Sequence, residues 1–253
     1  MNALSVQGLS KSFGGVHAIR EVSFDVVPRT VHAMIGPNGA GKTTLINLIT
    51  GVYTPDAGSI TLFGTRAHNW SPERVARAGL SRTFQNVQVC MNMSAVENVM
   101  IGAHQLLQGS LLLGMLQPPV LRKADAQYRE RALSLMDFVG IQAFANAQAS
   151  ELPYGALKRL EIARALAAGP RLLLLDEPAA GLNQTEKSEI ATLIRRVADE
   201  GVTVILVEHD MKLVMGISDQ VLVLDYGRRL VQGTVDEVRR NPEVIAAYLG
   251  AAA

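Results

Sequence analysis

The chain has 253 residues, a formal net charge of +1 and a single cysteine, Cys90. This length is enough for one large domain, or for a core domain with a smaller one attached. Charges of both signs are spread along the chain, which argues against an electrostatic tail for nucleic acid, and one cysteine excludes a disulfide framework. We therefore expect a protein of a reducing compartment, with the cytosol as the default.

Membrane-spanning and secretory segments are not expected. The most apolar segment, Leu106–Leu121, contains two glycines and two prolines and is shorter than a spanning helix requires. The first fifteen residues lack the long apolar stretch that follows a basic start in a signal peptide. These patterns predict a protein without a transmembrane helix, although its apolar content leaves room for docking to a partner.

The first third of the chain is predicted to be rich in strands and to contain a phosphate-binding loop. Apolar or alternating runs at Leu4–Val6, Val22–Val26 and Val31–Ile35 are typical of strands, and a helix is expected from Lys42. Between the last strand and this helix, residues 36–43 read GPNGAGKT and match G-x-x-x-x-G-K-[ST]. In this motif backbone N–H groups surround phosphates, the lysine reaches the β- and γ-phosphates, and the final hydroxyl binds Mg²⁺. The candidate nucleotide-binding residues here are Gly36, Asn38, Gly39, Ala40, Gly41, Lys42, Thr43 and Thr44.

The middle of the chain has a helical pattern. Between Gln85 and Ser150 methionines, alanines and paired charges are frequent, and Lys123–Val139 is the clearest helix. This change in character predicts an inserted helical subdomain at residues 85–150. The flanking residues 1–84 and 151–253 would then form one α/β core.

The last third alternates strands and helices. Leu172–Leu175 and Val202–Val207 are continuous aliphatic runs, and Glu186–Asp199 has apolar residues on one helical face with Asn183 as a plausible cap. Strands without alternation are buried on both faces, which predicts a mainly parallel sheet covered by helices. A hairpin is expected around Tyr226.

Two adjacent acids follow the strand at Leu172–Leu175. In phosphate-loop proteins a second strand supplies an aspartate that holds Mg²⁺, and Asp176 has that position. Glu177, one residue further, would orient or deprotonate the attacking water. The alternative, two solvated acids at a strand end, is less compatible with four preceding leucines and an upstream phosphate loop.

Five separated motifs occur in an order that resembles the ATP-binding subunit of ABC transporters. They are GPNGAGKT, SRTFQN with Gln85, LPYGALKR, LLLLDEP and VILVEHD with His209. The resemblance implies an ATPase with a mixed α/β core, an antiparallel β-subdomain and an inserted helical subdomain. It also implies that ATP and Mg²⁺ are bound.

The resemblance assigns roles to single residues. Gln85 would contact Mg²⁺ together with Thr43 and Asp176, and His209 would act as a switch that contacts the γ-phosphate beside Glu177.

Two further positions match the family less closely. Phe13 stands where the family usually has a tyrosine that stacks on adenine, and its alternative is an ordinary core phenylalanine. Asn183 stands where aspartate is common in the loop after the acidic pair.

The segment LPYGA departs from the family's signature, L-S-G-G-Q. In the family this helix start binds the γ-phosphate held by a second subunit, so that two ATP molecules lie between two subunits. Pro153 lacks the serine hydroxyl and Ala156 lacks the glutamine side chain, whereas Tyr154 and Gly155 complete the segment and Gly155 retains the close backbone approach. Either the signature is weakened and a heterodimer has one stronger site, or backbone donors suffice and both sites work.

A finer resemblance is to the branched-chain amino-acid uptake family. The matching segments are SRTFQNVQ, ENVMIGAH, LPYGALKRLEIARAL, DEPAAGLN, VEHDMKLVMGISDQ and NPEVIAAYLG. This resemblance implies a peripheral subunit at the cytoplasmic face of the plasma membrane. Its partners would be a second ATPase, identical or different, two permeases and an external solute-binding protein. Alternatives are the ATPase of lipopolysaccharide export, of urea or amide uptake, or of a process without transport.

Overall fold

The computed structural model describes residues 1–67, 69–85, 87–103 and 119–250. Within these ranges the strands form two sheets. The strands are β1 (Leu4–Phe13), β2 (Val16–Val26), β3 (Val31–Ile35), β4 (Ala57–Leu62), β5 (Thr65–Arg66), β6 (Leu80–Arg82), β7 (Leu172–Asp176), β8 (Thr203–Val207), β9 (Gln220–Asp225) and β10 (Arg228–Gly233). The helices are α1 (Lys42–Ile49), α2 (Pro72–Arg77), α3 (Ala95–Gly102), α4 (Pro119–Phe138), α5 (Tyr154–Ala167), α6 (Gln184–Asp199), α7 (Met211–Ile217), α8 (Val235–Arg240) and α9 (Pro242–Gly250).

The larger sheet has six strands in the order β10-β9-β3-β8-β7-β6. Its pairs are parallel except for the β9–β10 hairpin. Every residue of β3, β7 and β8 is buried, because helices cover both faces of the sheet. The predicted parallel sheet is therefore confirmed. Its arrangement brings the carboxyl ends of β3, β7 and β8 to one edge, where the phosphate loop begins.

The smaller sheet is antiparallel, with the order β2-β1-β4-β5. Strands β1 and β2 are longer than the sequence pattern indicated, and a tight turn at Gly14 and Gly15 joins them. The outer halves of both strands are polar. Their backbone N–H and C=O groups are paired between β1 and β2, so these residues stay in a strand without alternating apolar side chains. The β-rich start of the chain thus forms a separate antiparallel layer.

Helix α6 packs on the parallel sheet through the apolar face that the sequence predicted. Asn183 and Glu186 form a reciprocal capping box, in which the Asn183 side chain accepts from the N–H groups of Thr185 and Glu186 at 3.0 Å each. The buried residues of this face are Ile190, Leu193, Ile194, Val197 and Ala198.

Helices α3, α4 and α5 pack against one another. Gly102 in α3 lies so close to α5 that a Cβ atom there would be 2.0 Å from the carbonyl oxygen of Arg164. Helix α4 begins four residues before the predicted Lys123, at Pro119, a residue that suits the first turn of a helix. The subdomain boundaries at residues 84–85 and 150–151 stay a prediction.

No helix in the described part of the chain is long and apolar enough to cross a membrane. The apolar segment Leu106–Leu121 lies largely outside the described residues.

Candidate functional site

The phosphate loop connects β3 to α1. Gly36 and Gly41 both have positive φ angles, 156° and 101°. A Cβ at Gly36 would lie 2.2 Å from the carbonyl oxygen of Leu224, and one at Gly41 would lie 2.7 Å from that of Ala18. Only glycine fits at these two positions without displacing the neighbouring backbone.

The loop leaves its anion-binding groups available. The N-terminus of α1 has no side-chain cap among the described residues, so its first N–H groups remain available to an anion. Asn38, Gly39 and Thr43 are exposed, Thr44 is half-buried, and Gly36, Ala40 and Lys42 are buried. This arrangement can receive the phosphates of a nucleotide.

Lys42 is held within the loop. Its Nζ donates to the carbonyl oxygens of Gly36 at 2.6 Å and Pro37 at 2.9 Å. Burial lowers the pKa of Lys42, while the carboxylates of Glu177 and Asp176 oppose that shift. The lysine cation and the two acids therefore belong to one electrostatic site, as the sequence predicted for the loop and the strand end.

Asp176 is the last residue of β7 and is buried. Its Oδ2 accepts a hydrogen bond from Nη2 of Arg82 at 3.1 Å, and its backbone N–H donates to the hydroxyl of Thr83 at 3.3 Å. Burial raises the pKa of the Asp176 carboxyl, and the Arg82 guanidinium opposes the rise. Asp176 is therefore a positioned, largely desolvated carboxyl group and not a solvated acid.

Glu177 is held in a left-handed backbone conformation, with φ at 50°. A residue with a Cβ is uncommon there, and such strain is frequent at functional sites. Its carboxylate lies between two other predicted residues. Gln85 Nε2 donates to Oε2 at 3.0 Å, and His209 Nε2 lies 2.7 Å from Oε1. The structure thus brings together three residues that are far apart in the sequence.

Two charged residues that the sequence analysis did not select support this trio. Lys158 in α5 is only 2% exposed, and its Nζ donates to the carbonyl oxygens of Gln85 at 3.3 Å and Glu177 at 3.4 Å. The buried Glu208 accepts from the N–H groups of Ala179 at 2.8 Å and His209 at 3.1 Å. A signal for Glu208 was present, since an acid directly beside His209 follows an aliphatic strand.

The signature segment begins α5. Pro153 is the N-cap, one position before the first turn, and Tyr154 starts the helix. The ring of Tyr154 packs over Gly181, where a Cβ would be 2.9 Å from the ring. A Cβ at Gly155 would lie 2.6 Å from Oε1 of Glu186. The signature therefore sits against the loop that follows the acidic pair and against the start of α6.

Phe13 lies at the end of β1 and is 42% exposed. Its ring meets that of Tyr53 edge to face, with centroids 5.2 Å apart. An exposed ring is available for stacking, whereas a core phenylalanine would be buried. Asn183 is occupied as the cap of α6.

Among the described residues, no group of three or more histidine, cysteine or acidic side chains could hold a metal ion without other ligands. A divalent cation here would be held by one carboxylate, Asp176, by the neutral oxygens of Thr43 and Gln85, and by nucleotide phosphates. This oxygen donor set fits Mg²⁺, which is commonly bound by one or two carboxylates together with phosphates.

A phosphate loop at the end of a parallel strand, an acidic pair on a second strand and a histidine after a third define a P-loop nucleoside triphosphatase of the ATP-binding-cassette class. Comparisons with known proteins agree. The sequence model of the family described as "ABC transporter" matches residues 19–180, and that described as "Branched-chain amino acid ATP-binding cassette transporter" matches residues 228–253.

Similar proteins cover nearly the whole chain. The branched-chain amino acid transport ATP-binding proteins LivG of Salmonella typhimurium and BraF of Pseudomonas aeruginosa are each 45% identical over 250 residues, which is 98% of both chains compared. A crystal structure of the ADP conformation of an ATP-binding cassette of an ABC transporter superposes with a TM-score of 0.86 at 30% identity and covers 99% of each chain. The chain belongs to the ATP-binding subunits of ABC transporters, in the branched-chain amino acid family of LivG and BraF.

Proposed function

We propose that this ABC ATPase energises the uptake of branched-chain amino acids across the cytoplasmic membrane. The ATP-hydrolysis part of this proposal rests on the Glu177 carboxylate, which is held between Gln85 and His209 at the end of β7. The choice of solute is supported by the similarity to LivG and BraF along the whole chain.

Nucleotide binding is proposed to use the phosphate loop and Phe13. The N–H groups of the loop and the N-terminus of α1 would bind the phosphates, and Lys42 would leave its two carbonyl partners to reach the β- and γ-phosphates. The exposed ring of Phe13 would stack on adenine.

Glu177 is proposed as the general base. In that role it accepts a proton from the water that attacks the γ-phosphate, while Gln85 and His209 hold both carboxylate oxygens in position. His209 would also sense the γ-phosphate. Thr43, Gln85 and Asp176 would hold Mg²⁺, which supplies charge stabilisation at the transferred phosphoryl group when it is bound.

A second ATPase subunit is proposed to complete each site. The start of α5, at Pro153, Tyr154 and Gly155, would present its N–H groups to the γ-phosphate bound by the partner. Because Pro153 offers neither a hydroxyl nor an N–H group, we favour a heterodimer in which this chain's own loop forms the stronger site. Changing Pro153→Ser together with Ala156→Gln should then raise ATP turnover of the complex, and unchanged turnover would favour backbone donors and two working sites.

Ala156 is buried in the hydrophobic core, so the double change needs a control for packing. Pro153→Ser alone tests the hydroxyl at an exposed position, and Ala156→Gln alone reports the packing cost. If Pro153→Ser alone raises ATP turnover and the double change does not, the result would still support a weakened signature.

The permeases are proposed to dock on the groove between the parallel sheet and helices α3 and α5. This groove has a volume of about 400 Å³. Exposed apolar side chains at Val52 and Phe84 lie on its core side, and Gly102 with Arg164 lies on its helical side. A partner bound in this groove would contact both the core and helices α3 and α5. Such a position suits a partner that must respond to nucleotide binding. The chain would thereby be held at the cytoplasmic face of the membrane.

The first experiment isolates the tagged protein from its native membranes in mild detergent and identifies the chains that co-purify. A second, different ATPase with two permeases supports the amino-acid uptake system and the heterodimer. Copies of this chain alone, together with exporter-type permeases, would favour lipopolysaccharide export and would contradict the proposal.

The second experiment tests the solute in proteoliposomes that contain the purified complex and its solute-binding protein. ATP hydrolysis should be stimulated by leucine, isoleucine or valine and not by urea or short amides. Stimulation by urea alone would contradict the assignment of the solute while leaving the ATPase assignment intact.

A further inference from the structure

Arg82, the last residue of β6, connects two elements of the nucleotide site. Its Nη1 donates to Oδ1 of Asn47 in α1 at 2.7 Å, and its Nη2 donates to Oδ2 of Asp176 in β7 at 3.1 Å. The side chains of Arg82 and Asp176 are 11% and 8% exposed. One guanidinium group therefore joins the helix that follows the phosphate loop to the strand that ends in the predicted magnesium ligand.

The surroundings of Arg82 restrict the orientation of its guanidinium group. The ring of Phe84 lies beside it, with its centroid 5.1 Å from Cζ. A planar, forked guanidinium donates two directed bonds and stacks on an aromatic ring, which a lysine ammonium does not do in the same geometry. The two directed bonds and the ring contact therefore suit arginine better than lysine.

The backbone near Arg82 reinforces the same connection. Strand β6 pairs in parallel with β7, and the N–H of Thr83 donates to the carbonyl of Leu174 at 2.9 Å. The Thr83 hydroxyl then accepts from the N–H of Asp176 at 3.3 Å. The Asp176 backbone and one of its carboxylate oxygens are thus both fixed by consecutive residues at the end of β6.

We propose that Arg82 is a positioning residue that orients the Asp176 carboxylate for Mg²⁺ by holding Oδ2 and leaving the second oxygen for the cation or a water bound to it. This inference rests on the magnesium role given to Asp176 in the proposed function. Hydrogen-bonding partners of metal ligands contribute strongly to metal affinity, and their loss commonly weakens it by about 10- to 100-fold.

A purely structural role would have a different signature. Loss of a structural brace would weaken nucleotide binding to the same extent with and without Mg²⁺, because the whole loop region would loosen. Loss of a positioning residue should weaken only the part of the affinity that depends on the cation. The test therefore measures nucleotide binding itself, in addition to hydrolysis.

The experiment titrates the purified chain with a fluorescent ATP analogue in excess EDTA, and then titrates Mg²⁺ at a fixed analogue concentration. We expect Arg82→Gln to need about tenfold more Mg²⁺ for the half-maximal increase in analogue binding. Its affinity for the analogue in EDTA should be unchanged. Arg82→Lys should fall between this variant and the wild type. The matched control is Arg171→Gln, which removes an arginine that stacks on Phe63 at the opposite end of β7.

A folded Arg82→Gln protein with the wild-type Mg²⁺ requirement would overturn the proposal, and so would an equal loss of affinity in EDTA. If Arg82→Gln does not fold, Asn47→Ala decides the question, because it removes the other anchor of the guanidinium group. That variant should shift the Mg²⁺ requirement in the same direction, and no shift would overturn the proposal. A wild-type chain that binds nucleotide independently of Mg²⁺ would instead contradict the proposed metal site.

Discussion

The imidazole Nε2 of His209 lies 2.7 Å from Oε1 of Glu177, so the second residue after β8 directly contacts the first residue after β7. Gln85 approaches the other oxygen of the same carboxylate at 3.0 Å. Because each partner comes from a different part of the chain, a displacement of any one of these segments changes the position of the carboxylate.

Replacing Glu177 by glutamine should abolish ATP turnover and leave ATP binding intact. The amide keeps the shape of the side chain but cannot accept a proton from water, and loss of a general base commonly costs about 10²- to 10⁴-fold in rate. Hydrolysis and equilibrium binding of ATP would be measured on the same preparation. Glu200→Gln, at an exposed position, is the matched control, and rapid hydrolysis by Glu177→Gln would refute the assigned role.

Replacing Lys158 by methionine should lower the turnover number about tenfold with little change in ATP affinity. The variant keeps the length of the buried side chain but removes the donor to the carbonyl oxygens of Gln85 and Glu177. Steady-state kinetics would separate kcat from KM. Lys212→Met, on an exposed side chain, should behave as the wild type; an unchanged kcat in Lys158→Met would show that these two bonds do not position the trio.

The close crossing of α3 and α5 predicts opposite effects for two helical glycines. A Cβ at Gly102 would lie 2.0 Å from the carbonyl oxygen of Arg164, whereas one at Gly216 in α7 would meet nothing within 4 Å. Gly102→Ala should therefore destabilise the protein by about 1–3 kcal/mol, and Gly216→Ala should stabilise it by up to about 1 kcal/mol through helix propensity. Urea unfolding of both variants measures the difference, and equal effects would contradict the observed packing of α3 on α5.

His32 predicts a pH dependence of folding stability. It is fully buried in β3, neither ring nitrogen has a hydrogen-bond partner, and burial lowers its pKa from 6.5 to about 4. Between these values the unfolded chain binds a proton that the folded chain excludes, so this contribution to stability is complete above pH 6.5 and falls as the pH decreases. The free energy of unfolding should therefore fall by about 2 kcal/mol between pH 7 and pH 5.

The His32 contribution can be separated from other titrating groups by comparing variants. His32→Leu should reduce the stability difference between pH 7 and pH 5 in urea unfolding. His17→Gln, which changes an exposed histidine bound to the Ser12 hydroxyl, should leave that difference unchanged. The same pH dependence in His32→Leu and the wild type would show that His32 is not its source.

Much of the fold could be predicted from local patterns. The bounds of β3 at Val31–Ile35 and the start of α1 at Lys42 agree with the sequence prediction, because a strand buried on both faces and a glycine-rich loop leave clear local signals. The hairpin around Tyr226 is likewise present. By contrast, β1 extends to Phe13 because it pairs with β2. The polar residues of this extension have no apolar periodicity from which a strand could be predicted.

The sequence by itself determined the family and predicted the phosphate loop, Gln85, Glu177 and His209 as candidate site residues, because these predictions follow from residue types at fixed short spacings. Only the tertiary structure decided that these three side chains meet, that Lys158 lies beneath them, and that Arg82 holds Asp176. Such contacts join residues up to about 90 positions apart through the order of strands in the parallel sheet. That order arises from packing the whole core, and no local stretch of sequence encodes it.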